Sequence, residues 1–171
     1  MNRRVVVIVP FAMALTLSAC NVREASVGEA KEAAVRQEVA AVMKAFFAAS
    51  ERVDVEAMRQ VWADSPDFLY VDEGGKQYDT ASFRQFSGET LAGLAAERDL
   101  TRKEQIYVLG PMAAVYVWQG SIEVTPKAGP VLRLDPYNAV FLLKKADARW
   151  RIHYQQGSTP APHEVQPPVQ K

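Results

Sequence analysis

The spacing of apolar residues predicts three helices in the first part of the folded body. Between residues 35 and 50, apolar side chains recur at intervals of three and four. On a helix this spacing forms a single stripe, which consists of Val35, Val39, Val42, Met43 and Phe46. Asp54 is a favourable N-cap for a second helix, which Ser65-Pro66 would end. Asp79 or Thr80 is expected to cap a third helix, whose apolar face carries Phe83, Phe86, Leu91 and Leu94.

After Asp99 the apolar period falls from about 3.6 to about 2, which indicates strands. A short strand from Phe68 to Asp72 turns at Gly74-Gly75, and longer ones are predicted at residues 100–109, 112–125, 131–144 and 149–157. Helices followed by a meander of strands are typical of the α+β class. We therefore expect one domain at residues 31–158, with three N-terminal helices packed on a curved antiparallel or mixed β-sheet.

Both ends of the chain differ from this body. At the C-terminus, the Pro-rich residues 159–171 lack a periodic pattern and are predicted to be a disordered tail. At the N-terminus, Arg3 and Arg4 precede an almost unbroken apolar run at residues 5–17, which is shorter than the ~20 residues of a membrane-spanning helix. This order is typical of an export signal.

Leu17-Ser18-Ala19-Cys20 resembles the lipobox of bacterial lipoproteins. The resemblance implies a signal peptide at residues 1–19, cleavage before Cys20, membrane anchoring by diacylglycerol and palmitate on Cys20, and a polar tether at residues 20–30. An ordinary secretory signal and a buried apolar helix are alternative interpretations. Because the next residue is Asn21 rather than Asp, the expected location is the outer membrane of the cell envelope, facing the periplasm.

Charge and cysteine content exclude several classes of partner. The chain has 20 basic and 20 acidic residues, and removal of residues 1–19 leaves a net charge of −2. With no basic run, the chain lacks the electrostatic footprint of a nucleic-acid-binding protein. Cys20 is the single cysteine, so no intramolecular disulfide can form. No Gly-rich phosphate loop is present, and no cofactor is predicted.

Three segments follow one another along the chain: a helix–Asp–helix run at residues 46–58, a strand and glycine turn at residues 68–75, and a closing hairpin of residues 141–145 and 149–153. In this order they resemble the SnoaL-like, nuclear-transport-factor-2-like superfamily. The resemblance implies a cone, in which a bent sheet wraps around helices and leaves an apolar pocket at the open end. The superfamily includes ketosteroid isomerases, cyclases, dehydratases and members that only bind ligands, so the fold alone does not decide the activity.

Isomerase chemistry needs a carboxylate base and a hydrogen-bond donor that stabilises the enolate oxygen. The tyrosine donor of that family matches Phe46 here, which has no hydroxyl. The family's base matches Tyr70, Val71 or Asp72, and Asp72 is the best catalytic candidate because it is the one carboxylate among them. The competing interpretation, which we favour, is that Asp72 is a solvated residue that caps the Gly74-Gly75 turn.

Other chemistry has less support. His153 and His163 are the only histidines, and a single strand histidine with scattered carboxylates is not a ligand set, so no metal site is predicted. Nucleophilic catalysis has no motif, because the chain contains no G-x-S-x-G and no free cysteine remains after lipidation.

An aromatic set is the more informative feature for ligand binding. If the inner faces of the strands point into the cone, the pocket would be lined by Trp62, Tyr70, Tyr116, Trp118, Tyr154 and Gln156. The competing interpretation is that these rings fill the core between sheet and helices.

The strand around Phe141 is apolar on both faces, since Ala139, Phe141 and Leu143 alternate with Val140 and Leu142. Strands of this kind are usually covered on both sides. Helices would cover one face, and a second subunit of an isologous homodimer or the Pro-rich tail would cover the other.

These observations leave three functional hypotheses. The leading one is a lipid-anchored envelope protein that binds a small apolar or aromatic ligand in the cone and is non-catalytic or weakly catalytic. The second is an isomerase-, cyclase- or dehydratase-type enzyme with Asp72 as base and Tyr70 or Tyr154 as donor. The third is an envelope protein-interaction module whose cone is filled.

Overall fold

The computed structural model describes the backbone of residues 18–165 and the side chains of residues 28–165. Residues 1–17 of the predicted signal peptide, the side chain of Cys20 and residues 166–171 of the predicted tail lie outside the described part. Within that part, no helix combines the length and the apolar character needed to cross a bilayer.

Three helices form where the apolar spacing predicts them, and they are α1 (Ser18–Glu51), α2 (Val55–Arg59) and α3 (Thr80–Ala92). Asp54 caps α2 by accepting a hydrogen bond from the Ala57 backbone N–H at 3.0 Å, and Asp79 caps α3 by accepting one from the Ser82 N–H at 2.8 Å. The predicted tether at residues 20–30 belongs to α1 and is helical.

Helix α2 ends earlier than Ser65-Pro66, the predicted stop. The chain after Arg59 pairs with a strand instead of continuing the helix. The Ala63 N–H donates to the Ile152 carbonyl at 2.8 Å, and the Ile152 N–H donates to the Val61 carbonyl at 2.9 Å. This pairing places Trp62 beside the sheet.

Seven strands form one mixed sheet, and they are β1 (Leu69–Val71), β2 (Gln77–Tyr78), β3 (Leu94–Gly110), β4 (Ala113–Pro126), β5 (Leu132–Ala146), β6 (Arg149–Ser158) and β7 (His163–Glu164). Their order is β2-β1-β6-β5-β4-β3, with β7 paired to β5. Among the pairs formed by these seven strands, β1–β6 is the parallel one, and the bridge between Trp62 and Ile152 is parallel as well. The sheet is curved and unclosed around the helices, which confirms the predicted α+β class.

Two strand boundaries differ from the prediction in ways that matter for the site. Strand β3 begins at Leu94, so residues 94–99 belong to the sheet rather than to the third helix and a loop. The predicted disordered tail contains β7, whose His163 and Glu164 pair with Arg133 and Leu132. The backbone pairing of β7 orders this part of the tail.

The core lies between the inner face of the sheet and α1. The largest fully buried side chains are Trp118, Tyr116, Phe141, Met43, Leu143, Ile152 and Val39. The sheet bends at Gly120, where β3 and β4 approach closely. A Cβ atom at this position would lie only 1.9 Å from the Thr101 carbonyl oxygen. A register shift accompanies this approach on both sides of β4, which is typical of a β-bulge in a curved sheet.

Candidate ligand-binding cavity

A cavity of about 220 Å³ lies between the inner face of the sheet and the helices. Helix α1 contributes Phe46, Phe47 and Ser50, and the side chains from the rest of the fold are mostly aromatic or aliphatic. The cavity therefore has the composition of a small-molecule site, with apolar walls and a few polar groups.

Aromatic contacts hold the walls in place. The Trp62 and Phe83 ring centroids lie 4.7 Å apart with the rings perpendicular, and the Tyr70 and Phe83 centroids also lie 4.7 Å apart. The Trp62 indole Nε1 donates to Oε1 of Gln155 at 2.9 Å. Since packing and this hydrogen bond together orient Trp62, it forms a fixed wall of the cavity.

Glu97 on β3 is the first polar corner of the cavity. Ser50 Oγ donates to Glu97 Oε1 at 2.7 Å, from the C-terminal turn of α1. Burial raises the pKa of Glu97, the Ser50 hydrogen bond opposes that rise, and the negative charges of Asp99 and Glu51 add to it. The pKa of Glu97 therefore lies above that of an exposed glutamate.

Asp99 lies two residues further along β3 and also lines the cavity. Its carboxylate forms an ion pair with the guanidinium of Arg102, which also bonds Glu104 at 3.1 Å. The guanidinium carbon of Arg102 stands 4.2 Å from the centroid of the Phe47 ring. Arg102 thus balances the charge of Asp99 from outside the cavity lining.

Glu73, in the turn between β1 and β2, forms a second polar corner. The Tyr137 hydroxyl donates to Glu73 Oε1 at 3.1 Å. A Cβ atom at Gly157 would lie 2.7 Å from both of these oxygens, so the glycine leaves room for the pair. Burial, followed by the charge of Glu73, raises the pKa values of both Tyr137 and Tyr70, so both hydroxyls remain protonated donors.

Trp118 lines the cavity and is 1% exposed, and its indole Nε1 has no hydrogen-bond partner among the described residues. A buried donor without a partner costs about 1–3 kcal/mol. Because this nitrogen is also shielded from solvent, it adds no accessible donor to the cavity wall.

The predicted pocket residues divide into two groups. Trp62, Tyr70 and Trp118 line the cavity, as expected. Tyr116 is 1% exposed but lies deeper in the core, with its ring 5.9 Å from those of Phe47 and Phe141. For Tyr116, the competing interpretation of a core-filling ring describes the structure.

Tyr154 and Gln156 do not line the cavity, and the reason is a β-bulge. Leu142 and Leu143 are consecutive on β5, but their partners on β6, Tyr154 and Ile152, are two residues apart. His153, between those partners, is therefore the extra residue of the bulge. Beyond the bulge the alternation is reversed, and Tyr154 and Gln156 lie on the outer face. Gln155 takes the inward position and lines the cavity.

Asp72 also lies outside the cavity lining. Its Oδ1 accepts hydrogen bonds from the Gly74 and Lys76 backbone N–H groups, both at 2.9 Å, and its Oδ2 accepts one from the Tyr78 hydroxyl at 3.0 Å. This is the geometry of the turn-capping interpretation. Asp72 holds the glycine turn that carries Glu73.

His153 lies outside the cavity as well, with Nδ1 3.1 Å from Oδ1 of Asp67. Within the described part of the chain, no group of three or more His, Cys, Asp and Glu side chains is arranged to hold a metal ion.

Four polar residues of the cavity, Glu73, Glu97, Asp99 and Tyr137, were not predicted from the sequence. The available signal was the spacing of Glu97 and Asp99, because residues two apart share one face of a strand. That signal could be used only if β3 was taken to begin at Leu94, so that both residues belong to the strand. In the structure Glu97 pairs with Val124 and Asp99 pairs with Ile122, on the face that lines the cavity.

Comparison with known proteins agrees with this architecture. A protein-family model described as the SnoaL-like domain matches residues 39–162. No curated protein is significantly similar to the chain in sequence.

Solved structures with the same fold include three at low sequence identity. A proposed scytalone dehydratase from Novosphingobium aromaticivorans aligns with a TM-score of 0.69 at 8% identity, covering 81% of this chain and 92% of that one. A nuclear-transport-factor-2-like protein from Salmonella enterica aligns with a TM-score of 0.65 at 18% identity, covering 76% and 94%. A hexachlorocyclohexane dehydrochlorinase of LinA type 3 from Novosphingobium barchaimii aligns with a TM-score of 0.66 at 8% identity, covering 80% and 94%. These similarities confirm the expected cone fold.

Proposed function

The chain belongs to the SnoaL-like domain family, and from that premise we propose that its cone binds a small, mainly aromatic or apolar ligand. The observation that carries the proposal is the cavity of about 220 Å³ with aromatic walls and few polar groups. An apolar cavity of roughly 150 Å³ accepts benzene. The cavity therefore has room for one ring with a short substituent. Because this volume between the sheet and the helices is not filled by side chains, ligand binding is favoured over a filled cone.

Occlusion of the cavity tests this proposal. Leu91 lines it from α3 and is half-buried, so Leu91→Trp places a large ring in the space without entering the sheet. Leu109→Trp is the matched control, since Leu109 is 63% exposed and lies outside the lining. The mature chain in lipid nanodiscs would be titrated with p-cresol and indole by ligand-observed NMR, with empty nanodiscs as the blank.

We expect the Leu91→Trp variant to lose at least tenfold in affinity and the Leu109→Trp variant to bind like the wild type. Absence of binding to the wild-type chain, or equal binding by both variants, would contradict a cavity site.

We further propose that lipid on Cys20 holds the cone domain at the outer membrane, facing the periplasm. Two or more acyl chains give stable anchoring. Helix α1 runs without a break from Ser18, and among its residues from 28 onward Val35 is the first that is buried in the core. At about 1.5 Å per residue, the fifteen residues from Cys20 to Val35 span about 22 Å. A helical stalk of this length separates the anchor site from the core.

Metabolic labelling with palmitate tests the anchor. The wild-type chain is expected to incorporate the label, with a mature N-terminus at Cys20 by mass spectrometry, whereas Cys20→Ala incorporates none. Label retained in the variant, or a mature N-terminus at another residue, would refute lipidation at this position.

Glu97 supports a second candidate function, general base catalysis of an elimination reaction. Its carboxyl lies on the cavity wall, and burial raises its pKa, which makes its carboxylate a stronger base than that of an exposed glutamate. Two structural neighbours carry the names of elimination enzymes, a dehydratase and a dehydrochlorinase. In such a reaction Glu97 would accept a proton from carbon while the leaving group departs from the adjacent carbon. Glu97 replaces Asp72 in this role because Asp72 does not line the cavity.

Turnover of a panel of β-hydroxy carbonyl and β-halogenated compounds tests this candidate. Glu97→Gln is expected to abolish any turnover, and the wild-type rate is expected to rise with pH as Glu97 loses its proton. A Glu97→Gln variant with wild-type turnover would exclude Glu97 as the base.

A further inference from the structure

We propose that the ligand is an organic cation, namely a protonated amine on a small aromatic body. This inference rests on the proposed function, because it specifies what the cavity binds. It goes beyond an apolar fit and makes charge the main determinant of selectivity.

The charge balance of the cavity is the first argument. Three carboxyl groups line it, those of Glu73, Glu97 and Asp99, whereas no Lys, Arg or His side chain of the described residues does. Asp99 is balanced by its ion pair with Arg102. Glu73 and Glu97 form no ion pair in the described part of the chain, and their hydrogen bonds come from the neutral hydroxyls of Tyr137 and Ser50. Glu73 is exposed to solvent, so Glu97 is the half-buried carboxyl whose charge a cationic ligand would balance.

The aromatic walls are the second argument. Rings of Trp, Tyr and Phe attract a cation placed over their faces, by about 0.5–1 kcal/mol at exposed sites and about 2 kcal/mol or more when water is excluded. The cavity combines such rings, among them Trp62, Tyr70 and Trp118, with the two carboxyl groups. Aromatic faces and unpaired carboxyl groups are together the environment in which proteins hold organic ammonium ions, whereas both disfavour an anion.

Three compounds that differ in one group test the inference. 2-Amino-1-phenylethanol carries the ring, the oxygen and a protonated amine at pH 7.5; 1-phenyl-1,2-ethanediol replaces the amine with a neutral hydroxyl, and mandelate replaces the aminomethyl group with a carboxylate. Isothermal titration of the mature chain in zwitterionic nanodiscs, with empty nanodiscs subtracted, measures each affinity. We expect the amine to bind at least tenfold more tightly than the diol, and mandelate to bind most weakly.

Variants separate the charge effect from folding. Glu97→Gln is expected to weaken binding of the amine about tenfold and to leave binding of the diol within about twofold, so the diol reports an intact cavity. Glu29→Gln is the matched control, because Glu29 is exposed on α1 ahead of the core residues of that helix and does not line the cavity. It is expected to leave all three affinities unchanged.

The inference is overturned if the diol or mandelate binds as tightly as the amine, or if Glu97→Gln weakens the amine and the diol equally. Failure of all three compounds to bind also overturns it. The proposed function falls with it only if p-cresol and indole fail to bind as well, so the two failures are distinguishable.

Discussion

Glu97 shows most clearly how the surroundings of a residue decide its chemistry. In the sequence it is an ordinary glutamate between Ala96 and Arg98. In the fold it faces the cavity, accepts a hydrogen bond from Ser50, and lies near two other carboxylates. Its raised pKa has a consequence for stability. Between the unfolded and the folded pKa values the native state holds a proton that the unfolded state has released, so stability falls as the pH rises through that interval.

The variant Glu97→Gln is therefore expected to be more stable than the wild type at pH 8 and to lose that advantage at pH 4. Glutamine keeps an acceptor for Ser50 but has no charge to desolvate. Thermal unfolding followed by circular dichroism at the two pH values measures the difference. A variant that is destabilised equally at pH 4 and pH 8 would show that shape rather than charge dominates at this position.

Gly120 is the residue at which a single added carbon should matter most. A Cβ atom there would lie 1.9 Å from the backbone oxygen of Thr101, and backbone cannot move aside cheaply. We expect Gly120→Ala to lower the free energy of unfolding by about 2 kcal/mol or more, as overpacking does. Gly110→Ala is the control, since no heavy atom lies within 4 Å of its added carbon. Equal urea midpoints for the two variants would contradict the close approach of β3 and β4.

At the scale of elements, local signals predicted the helices well and the strand faces less well. The N-caps Asp54 and Asp79 are where their side-chain chemistry predicts them, because capping involves atoms only two or three residues apart. The face that Tyr154 presents depends instead on the bulge at His153, which exists only in the pairing of β6 with β5. A strict period of two cannot anticipate such an insertion.

The cap of α3 gives a prediction at this scale. Replacing Asp79 with alanine removes the acceptor for the Ser82 N–H and is expected to cost about 1 kcal/mol of stability. Asp79→Asn keeps a capping oxygen and should remain within a few tenths of a kcal/mol of the wild type. Equilibrium urea unfolding measures both. Equal losses in the two variants would mean that the charge of Asp79, rather than its capping oxygen, stabilises α3.

At the scale of the whole molecule, the outer face of the sheet stands out. Ala139, Phe141 and Leu143 are buried on the inner face, whereas Val140 is 36% exposed on the other. Its cross-strand neighbours there are Val117 and Gln156. An apolar outer face of this kind is compatible with the homodimer expected from the sequence, which we retain as a proposal.

Sedimentation velocity tests the dimer. The wild-type chain is expected to sediment as a dimer at tens of micromolar, and Val140→Asp as a monomer, because burying an unpaired carboxylate at the centre of an interface is unfavourable. Val55→Asp is the control, since Val55 lies outside the sheet at the start of α2, where an acidic residue is tolerated. A monomeric wild-type chain would rule out this interface at those concentrations.

The sequence by itself predicted the class of fold, the three helices of the described residues, the caps of α2 and α3 and, as one of two open interpretations, three aromatic residues that line the cavity, Trp62, Tyr70 and Trp118. These follow from periodicity and capping, which act over a few residues, together with the resemblance of short ordered motifs. Only the tertiary structure decided that Glu73, Glu97 and Tyr137 meet at the cavity, that Asp72 holds a turn, and that Tyr154 faces outward. Those outcomes depend on strand register and bulges, which are set by pairing between segments far apart in the chain.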